Sequence, residues 1–133
     1  MLCEILSVGT ELLMGQIANT DAQFLARRLS AIGITMHRTV TVGDNPGRVK
    51  EALNEALSRA DLVITTGGLG PTEDDLTKEM VAEYFGLPMR LHQESLDKIE
   101  RYFAATGRKM TDNNRKQALF PEGCRIMPNR KGT

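Results

Sequence analysis

Apolar positions along this chain fall into two kinds of run, continuous stretches and stripes at helical spacing. Leu2 to Val8 is largely apolar and leads into Gly9, the pattern of a strand covered on both faces. Thr20-x-x-Gln23 then reads as a capping box, and Ala22, Leu25, Leu29 and Ile32 share one helical face before Gly33. Thr35 to Val42 predicts a second strand. Asn45 as N-cap and Pro46 at the first helical position open a second helix, with Val49, Leu53, Ala56 and Ala60 as its stripe. Residues 61–66 predict a third strand that runs straight into Gly67-Gly68-Leu69-Gly70-Pro71. Thr72-x-x-Asp75 reads as the next helix start, with Leu76, Met80 and Tyr84 on one face and Gly86-Leu87-Pro88 as its stop. Another helix is expected over residues 94–105, with Leu96, Ile99 and Phe103 inward and Gly107 beyond it. A shorter helix over 111–119 and a short strand over 124–127 complete the reading.

Three strand–helix alternations imply right-handed βαβ units on a parallel sheet. The expected fold is α/β, a three-layer αβα sandwich with a mostly parallel sheet. A chain of 133 residues fits one domain, residues 1–133. The final Pro128-Asn129-Arg130-Lys131-Gly132-Thr133 stops in a turn, so the domain is expected to be cut short there.

Composition removes several function classes. No stretch approaches the ~18 uninterrupted apolar residues of a membrane span, and the N-terminus lacks a basic region, so a cytoplasmic protein with no membrane partner is expected. Cys3 and Cys124 are too few for a zinc pattern or a disulfide framework and are expected as two buried thiols. Net charge is zero, but residues 108–133 hold seven basic side chains against Asp112 and Glu122. That basic tail lacks interleaved aromatics or a groove-reading motif, which argues against nucleic acid as the primary partner.

The loops at the carboxyl ends of parallel strands gather on one edge, where α/β proteins bind ligands. Here those loops carry Glu11, Asp44, and Asp74 with Asp75, and the third also carries Gly67, Gly68 and Gly70. Glycines and a helix start near Thr72 suit a phosphate, and acids nearby suit a hard divalent cation. Taken singly, each acid has an ordinary reading as a helix-start, turn or solvated residue. Their convergence on one edge is what points to a phosphorylated ligand held with a metal. The dinucleotide and P-loop fingerprints are absent, and His37 and His92 have no triad context, so both are read as structural. The loop from Gly9 to Asn19 exceeds the usual span of about 2–6 residues, and its Leu12-Leu13-Met14 cluster either folds back on the core or fills a subunit contact, the second being favoured.

Three segments carry a family resemblance: residues 8–20 (Val-Gly-Thr-Glu-Leu-Leu-Met-Gly-Gln-Ile-Ala-Asn-Thr), Val42-Gly43-Asp44-Asn45, and residues 66–77 (Thr-Gly-Gly-Leu-Gly-Pro-Thr-Glu-Asp-Asp-Leu-Thr). With Thr106-Gly107-Arg108-Lys109 and Asn113-Asn114-Arg115-Lys116-Gln117-Ala118, they closely resemble the N-terminal domain of the competence/damage-inducible CinA family. The resemblance implies a molybdopterin-binding fold of the MogA/MoaB kind, in which Gly67, Gly68, Gly70, Asp75 and Thr77 match the pterin site and Asp44 the acid after the second strand. Leu69 and Asp74 depart from that pattern, where a threonine and a basic residue are usual. The resemblance further implies metal-dependent hydrolysis of a nucleoside diphosphate sugar, ADP-ribose to AMP and ribose 5-phosphate, by a homodimer. In that reading Gly67, Gly68, Leu69, Gly70, Thr72 and Thr77 hold the ligand. Asp44 and Asp75 bind Mg²⁺, Mn²⁺ or Co²⁺, and Glu11, Asp74 and Asp75 are the catalytic acids. The alternative is a non-catalytic module that binds molybdopterin or a nucleotide.

Overall fold

The computed structural model describes residues 1–129. They fall into two compact units, Met1–Gly68 and the chain from Leu69 onward. The first holds β1 (Leu2–Val8), α1 (Thr10–Leu13), α2 (Thr20–Ala31), β2 (Thr35–Val42), α3 (Pro46–Arg59) and β3 (Leu62–Thr66). Its three strands form a parallel sheet in the order β2-β1-β3. The central β1 is buried from Cys3 to Val8, as its largely apolar run predicts, with Glu4 and Ser7 buried among its apolar residues.

Different helices cover the two faces of that strand. Ser7 receives a hydrogen bond from Asn19 Nδ2 (2.8 Å) at the start of α2, whereas Glu4 receives one from Arg59 Nε (2.7 Å) at the end of α3. Residues 4 and 7 of a strand point to opposite faces, so α2 and α3 sandwich the sheet. Right-handed crossovers demand this arrangement when β2 and β3 flank β1 on opposite sides. The cap of α2 is Asn19 rather than the expected Thr20. Its carboxamide oxygen accepts the Ala22 N–H (3.1 Å) while its nitrogen reaches Ser7, two bonds that a threonine hydroxyl one residue later would not make together. Ile32, expected on the inner stripe, is exposed because the chain has already left the helix.

A β-bulge interrupts β2. Cys3 pairs with Met36 and Glu4 with Arg38, so His37 is the extra residue, and the bulge turns its ring onto Glu4. Glu4 is buried, and its carboxylate meets Arg59 through both guanidinium Nε (2.7 Å) and a terminal nitrogen (3.1 Å), with His37 Nδ1 at 3.0 Å. The hydrogen bonds from Arg59 hold the Glu4 carboxyl below its ordinary value against the opposing effect of burial, with help from His37. His37 is therefore structural, as expected.

The second unit holds α4 (Thr77–Tyr84), β4 (Met89–Leu91), α5 (Gln93–Thr106), α6 (Asp112–Lys116) and β5 (Leu119–Pro121). Leu96, Ile99 and Ala118 form its core, with Phe103 and Met110 packed against them. Strands β4 and β5 pair antiparallel. Gly107 ends α5 in the left-handed conformation (φ +66°), the backbone state for which glycine is suited. His92 bonds Ser95 Oγ (2.8 Å) at the head of α5, again a structural role.

Four sequence expectations fail in this unit, the first being the helix over 111–119, which stops at Lys116 because Leu119–Pro121 pairs with β4 as β5. The strand expected over 124–127 is absent. Gly123 takes a positive φ of 79°, and the Cys124 N–H closes a turn on the Pro121 carbonyl (3.2 Å), so the extended run ends at β5. Cys124 is exposed at that turn, whereas Cys3 is buried as expected. Helix α4 begins at Thr77, not Thr72, for a reason that belongs to the site below. Among the described residues, no helix is long and apolar enough to cross a membrane.

Candidate functional site

In the first unit, the carboxyl edge of the sheet is built from three loop starts. The Gly9 N–H donates to the Val42 carbonyl (2.9 Å), tying the end of β1 to the end of β2. Asp44 Oδ2 then accepts from both the Thr10 N–H (2.8 Å) and the Thr10 hydroxyl (2.7 Å), and the Asp44 N–H donates back to that hydroxyl oxygen (3.2 Å). The two loops are thus locked by a reciprocal pair. Glu11 lies on the one-turn α1, and its carboxylate folds over Gly9, 3.0 Å from where a Cβ would stand. The third loop start is Gly67, at φ +80°, where a Cβ would fall 2.0 Å from the Val8 carbonyl oxygen. Only glycine permits that approach. Gly68 follows at φ +61°, a second left-handed residue in succession.

Beneath this edge lies a buried polar group that the sequence reading missed. Ser7 Oγ receives hydrogen bonds from Asn19 Nδ2 and from Thr66 Oγ1 (3.1 Å), so one hydroxyl joins β1, β3 and the head of α2. Its signal was available. Ser7 and Thr66 are polar residues near the carboxyl ends of largely apolar strands, next to the loops that carry the candidate site.

In the second unit, residues 69–77 hold the remaining candidates. Asp75 Oδ2 accepts from the Thr72 N–H (2.9 Å) and the Thr72 hydroxyl, and the carboxylate also takes the Gly70 N–H. The Asp75 N–H returns to the Thr72 carbonyl (3.2 Å). These bonds make a closed turn in place of the expected first helical turn, because the carboxylate captures N–H groups that a helix would leave outward. The Gly70 and Thr72 amides are accordingly engaged by Asp75. Burial pushes the Asp75 carboxyl up, but the Thr72 and Gly70 hydrogen bonds and the nearby Lys116 charge outweigh it and hold the group below its ordinary value. A Cβ at Gly70 would stand 2.6 Å from Asp75 Oδ2, so a larger residue there would displace the carboxylate that closes the turn. Asp74 and Leu69 are exposed, while Thr77 is buried as the first residue of α4.

Among the described residues, no three His, Cys, Asp or Glu side chains converge into a metal-binding group.

Comparison with known proteins agrees with this geometry. Residues 4–125 match the family described as "Probable molybdopterin binding domain". A competence-damage inducible protein of Acetivibrio thermocellus is 59% identical over all 133 residues, which cover 32% of that relative. A CinA-like protein of Dictyoglomus turgidum is 57% identical over the same span, again 32% of its length. The chain thus spans about a third of the curated relatives it matches. The crystal structure of CinA from Thermoplasma acidophilum, of unknown function, superimposes with a TM-score of 0.87 at 33% identity, covering 98% of this chain and 76% of that one. MoaB from Thermus thermophilus, a molybdopterin biosynthesis enzyme, gives a TM-score of 0.57 at 27% identity over 62% of this chain and 53% of its own. The fold, the glycine-bearing strand ends and these relatives lead to one conclusion: the chain belongs to the CinA-like family built on the molybdopterin-binding domain.

Proposed function

We propose that this chain is a binding module for a phosphorylated pterin or nucleotide, seated at the carboxyl edge of the first unit's sheet. The observation that carries the reading is the strand order β2-β1-β3. The connection after β1 runs to β2 on one side, and the connection after β2 passes back over β1 to β3 on the other, so the winding reverses at β1 and opens a crevice at the carboxyl ends of β1 and β3, the place where open α/β sheets take ligands. Gly67 and Gly68 flank that crevice, and left-handed glycines let backbone approach a phosphate closely. The Asp44–Thr10 lock and the contact of Gly67 with Val8 hold the loops in place beforehand, so little ordering entropy opposes binding. The family match and the likeness to MoaB support a pterin among the ligands.

A second reading, hydrolysis of the phosphoanhydride of an ADP-ribose-like nucleotide, is favoured by Asp44 and Glu11 on the loops leaving β2 and β1. Magnesium is commonly held by one or two carboxylates together with substrate phosphates, and Asp44 is a donor of that kind. A divalent ion arriving with the ligand would supply charge neutralisation. Glu11 would orient the water that attacks phosphorus as the P–O–P bridge breaks.

The test is calorimetric titration of the protein with ADP-ribose and with a pterin phosphate, each with and without Mg²⁺, Mn²⁺ or Co²⁺, followed by assay for AMP. Binding without AMP in every metal is the expected result. Appearance of AMP that is lost in Asp44→Asn would establish the hydrolytic reading instead. Failure to bind either ligand would overturn both.

A further inference from the structure

The segment Asn113-Asn114-Arg115-Lys116-Gln117 is distinctive in the sequence, yet the function proposed above gives it no task. Its place in the second unit supplies one. Lys116, the last residue of α6, sends its ammonium to the Thr72 carbonyl (3.1 Å) and to the Asp75 carbonyl, and stands 3.6 Å from Glu79 Oε1. Two of its three N–H donors thus go to backbone carbonyls of the turn, and its charge faces Glu79. The grip is reciprocal. Lys78 Nζ, on α4, donates to the Gln117 carbonyl (2.9 Å) and the Lys116 carbonyl (3.4 Å), and lies 4.6 Å from the centre of the Phe120 ring. Each lysine therefore fixes the backbone beside the other.

We infer that Lys116 is a positioning residue that latches the 70–75 turn in the shape from which the chain presents its ligand-binding loop. The turn's own bonds are local ones, from Asp75 to Gly70 and Thr72. Its tether to a separate element runs through Lys116, from 41 and 44 residues away in sequence. Arg115, one residue earlier, is exposed, and Lys109 lies in an exposed stretch, so the role belongs to Lys116 and not to the basic character of the region. The latch rests on the reading that residues leading on from Gly67 and Gly68 meet the ligand, and its consequence there is a higher affinity for phosphorylated ligands.

Removing Lys116 alone would strand Glu79, whose Oε2 is buried without a hydrogen-bond partner among the described residues. The informative variant is therefore Lys116→Met combined with Glu79→Gln, with Lys116→Arg as the variant that keeps charge and donors. Amide hydrogen exchange is followed at Thr72 and Asp75, with α5 as internal reference, and ADP-ribose affinity is measured on the same proteins. The latch predicts exchange at least about tenfold faster at Thr72 and Asp75 in the double variant, unchanged α5, partial recovery in Lys116→Arg, and a Kd raised by about tenfold or more. Unchanged exchange at the turn would overturn it, as would equal losses at α5, which would make Lys116 a general stabiliser. A faster turn with unaltered Kd would also overturn the positioning role. If the wild type binds no ADP-ribose, the functional reading fails, and the exchange comparison alone decides the latch.

Discussion

Replacing Arg59 by methionine should be among the most damaging single changes in the first unit. Glu4 is 1% exposed, and its carboxylate depends on two guanidinium contacts, at 2.7 and 3.1 Å. Charge-assisted hydrogen bonds of this sort contribute about 1.5–3 kcal/mol each. Breaking a buried pair from one side typically costs about 3–5 kcal/mol, because the remaining charge stays buried. His37 offsets part of that loss at 3.0 Å, so the lower half of the range is expected. At roughly 4 °C per kcal/mol for a chain of this size, the midpoint of thermal unfolding should fall by about 12–16 °C. The converse change, Glu4→Met, should cost less, since Arg59 is 25% exposed and retains Glu55 at 3.5 Å. The double replacement should lie within about 2 kcal/mol of wild type, as apolar substitutes for a buried pair often do. Circular dichroism melts of the four proteins complete the cycle. If Arg59→Met melts within about 3 °C of wild type, or the double variant is no better than Arg59→Met, the ion pair is not what holds α3 to β1.

The same carboxylate sets a pH dependence. Because its folded-state value is depressed, the stability it contributes is full above the unfolded value of about 4.3 and is lost as pH falls through the lower folded value; urea midpoints should decline there in wild type and stay flatter in Glu4→Met. Gly67→Ala, with φ +80° and a Cβ 2.0 Å from the Val8 carbonyl, should cost well over the 1–2 kcal/mol of a left-handed residue alone, whereas Gly33→Ala, at φ +83° with nothing within 4 Å, should cost only that amount. Leu13, Met14, Ile17 and Phe24 are exposed, and we propose that they meet a second copy of the chain. Leu13→Glu should then shift a sedimenting dimer to monomer, and a wild type that is monomeric across a tenfold dilution would refute it.

The first unit was legible because its signals are redundant. Largely apolar runs mark β1 and β3, a helical stripe and a cap agree for α3, and Asn45 caps Arg48 as its Asn-Pro sequence predicts. The second unit was less so. Strands β4 and β5 have three residues each, too few to show a period, and β5 includes Pro121. The start of α4 was misplaced because an Asp three residues after a Thr fits two structures equally, a capped helix and a side-chain-closed turn. The candidate acids were found from their loops, but the partners that define their geometry were not. Thr10 for Asp44 lies 34 residues away, and Lys116 for the 70–75 turn 41 to 44 away, and no local pattern announces either.

The bulge in β2 has a consequence for insertions and deletions. A chain lacking residue 37 could still pair Cys3 with Met36 and Glu4 with Arg38, now as consecutive rungs, and Asp44 would keep its place beside Thr10. The extra residue is therefore unnecessary for alignment. What it adds is a polar ring delivered to a carboxylate that β1 has already buried, so the length of β2 records an electrostatic requirement of its neighbour and not a spacing requirement of its own.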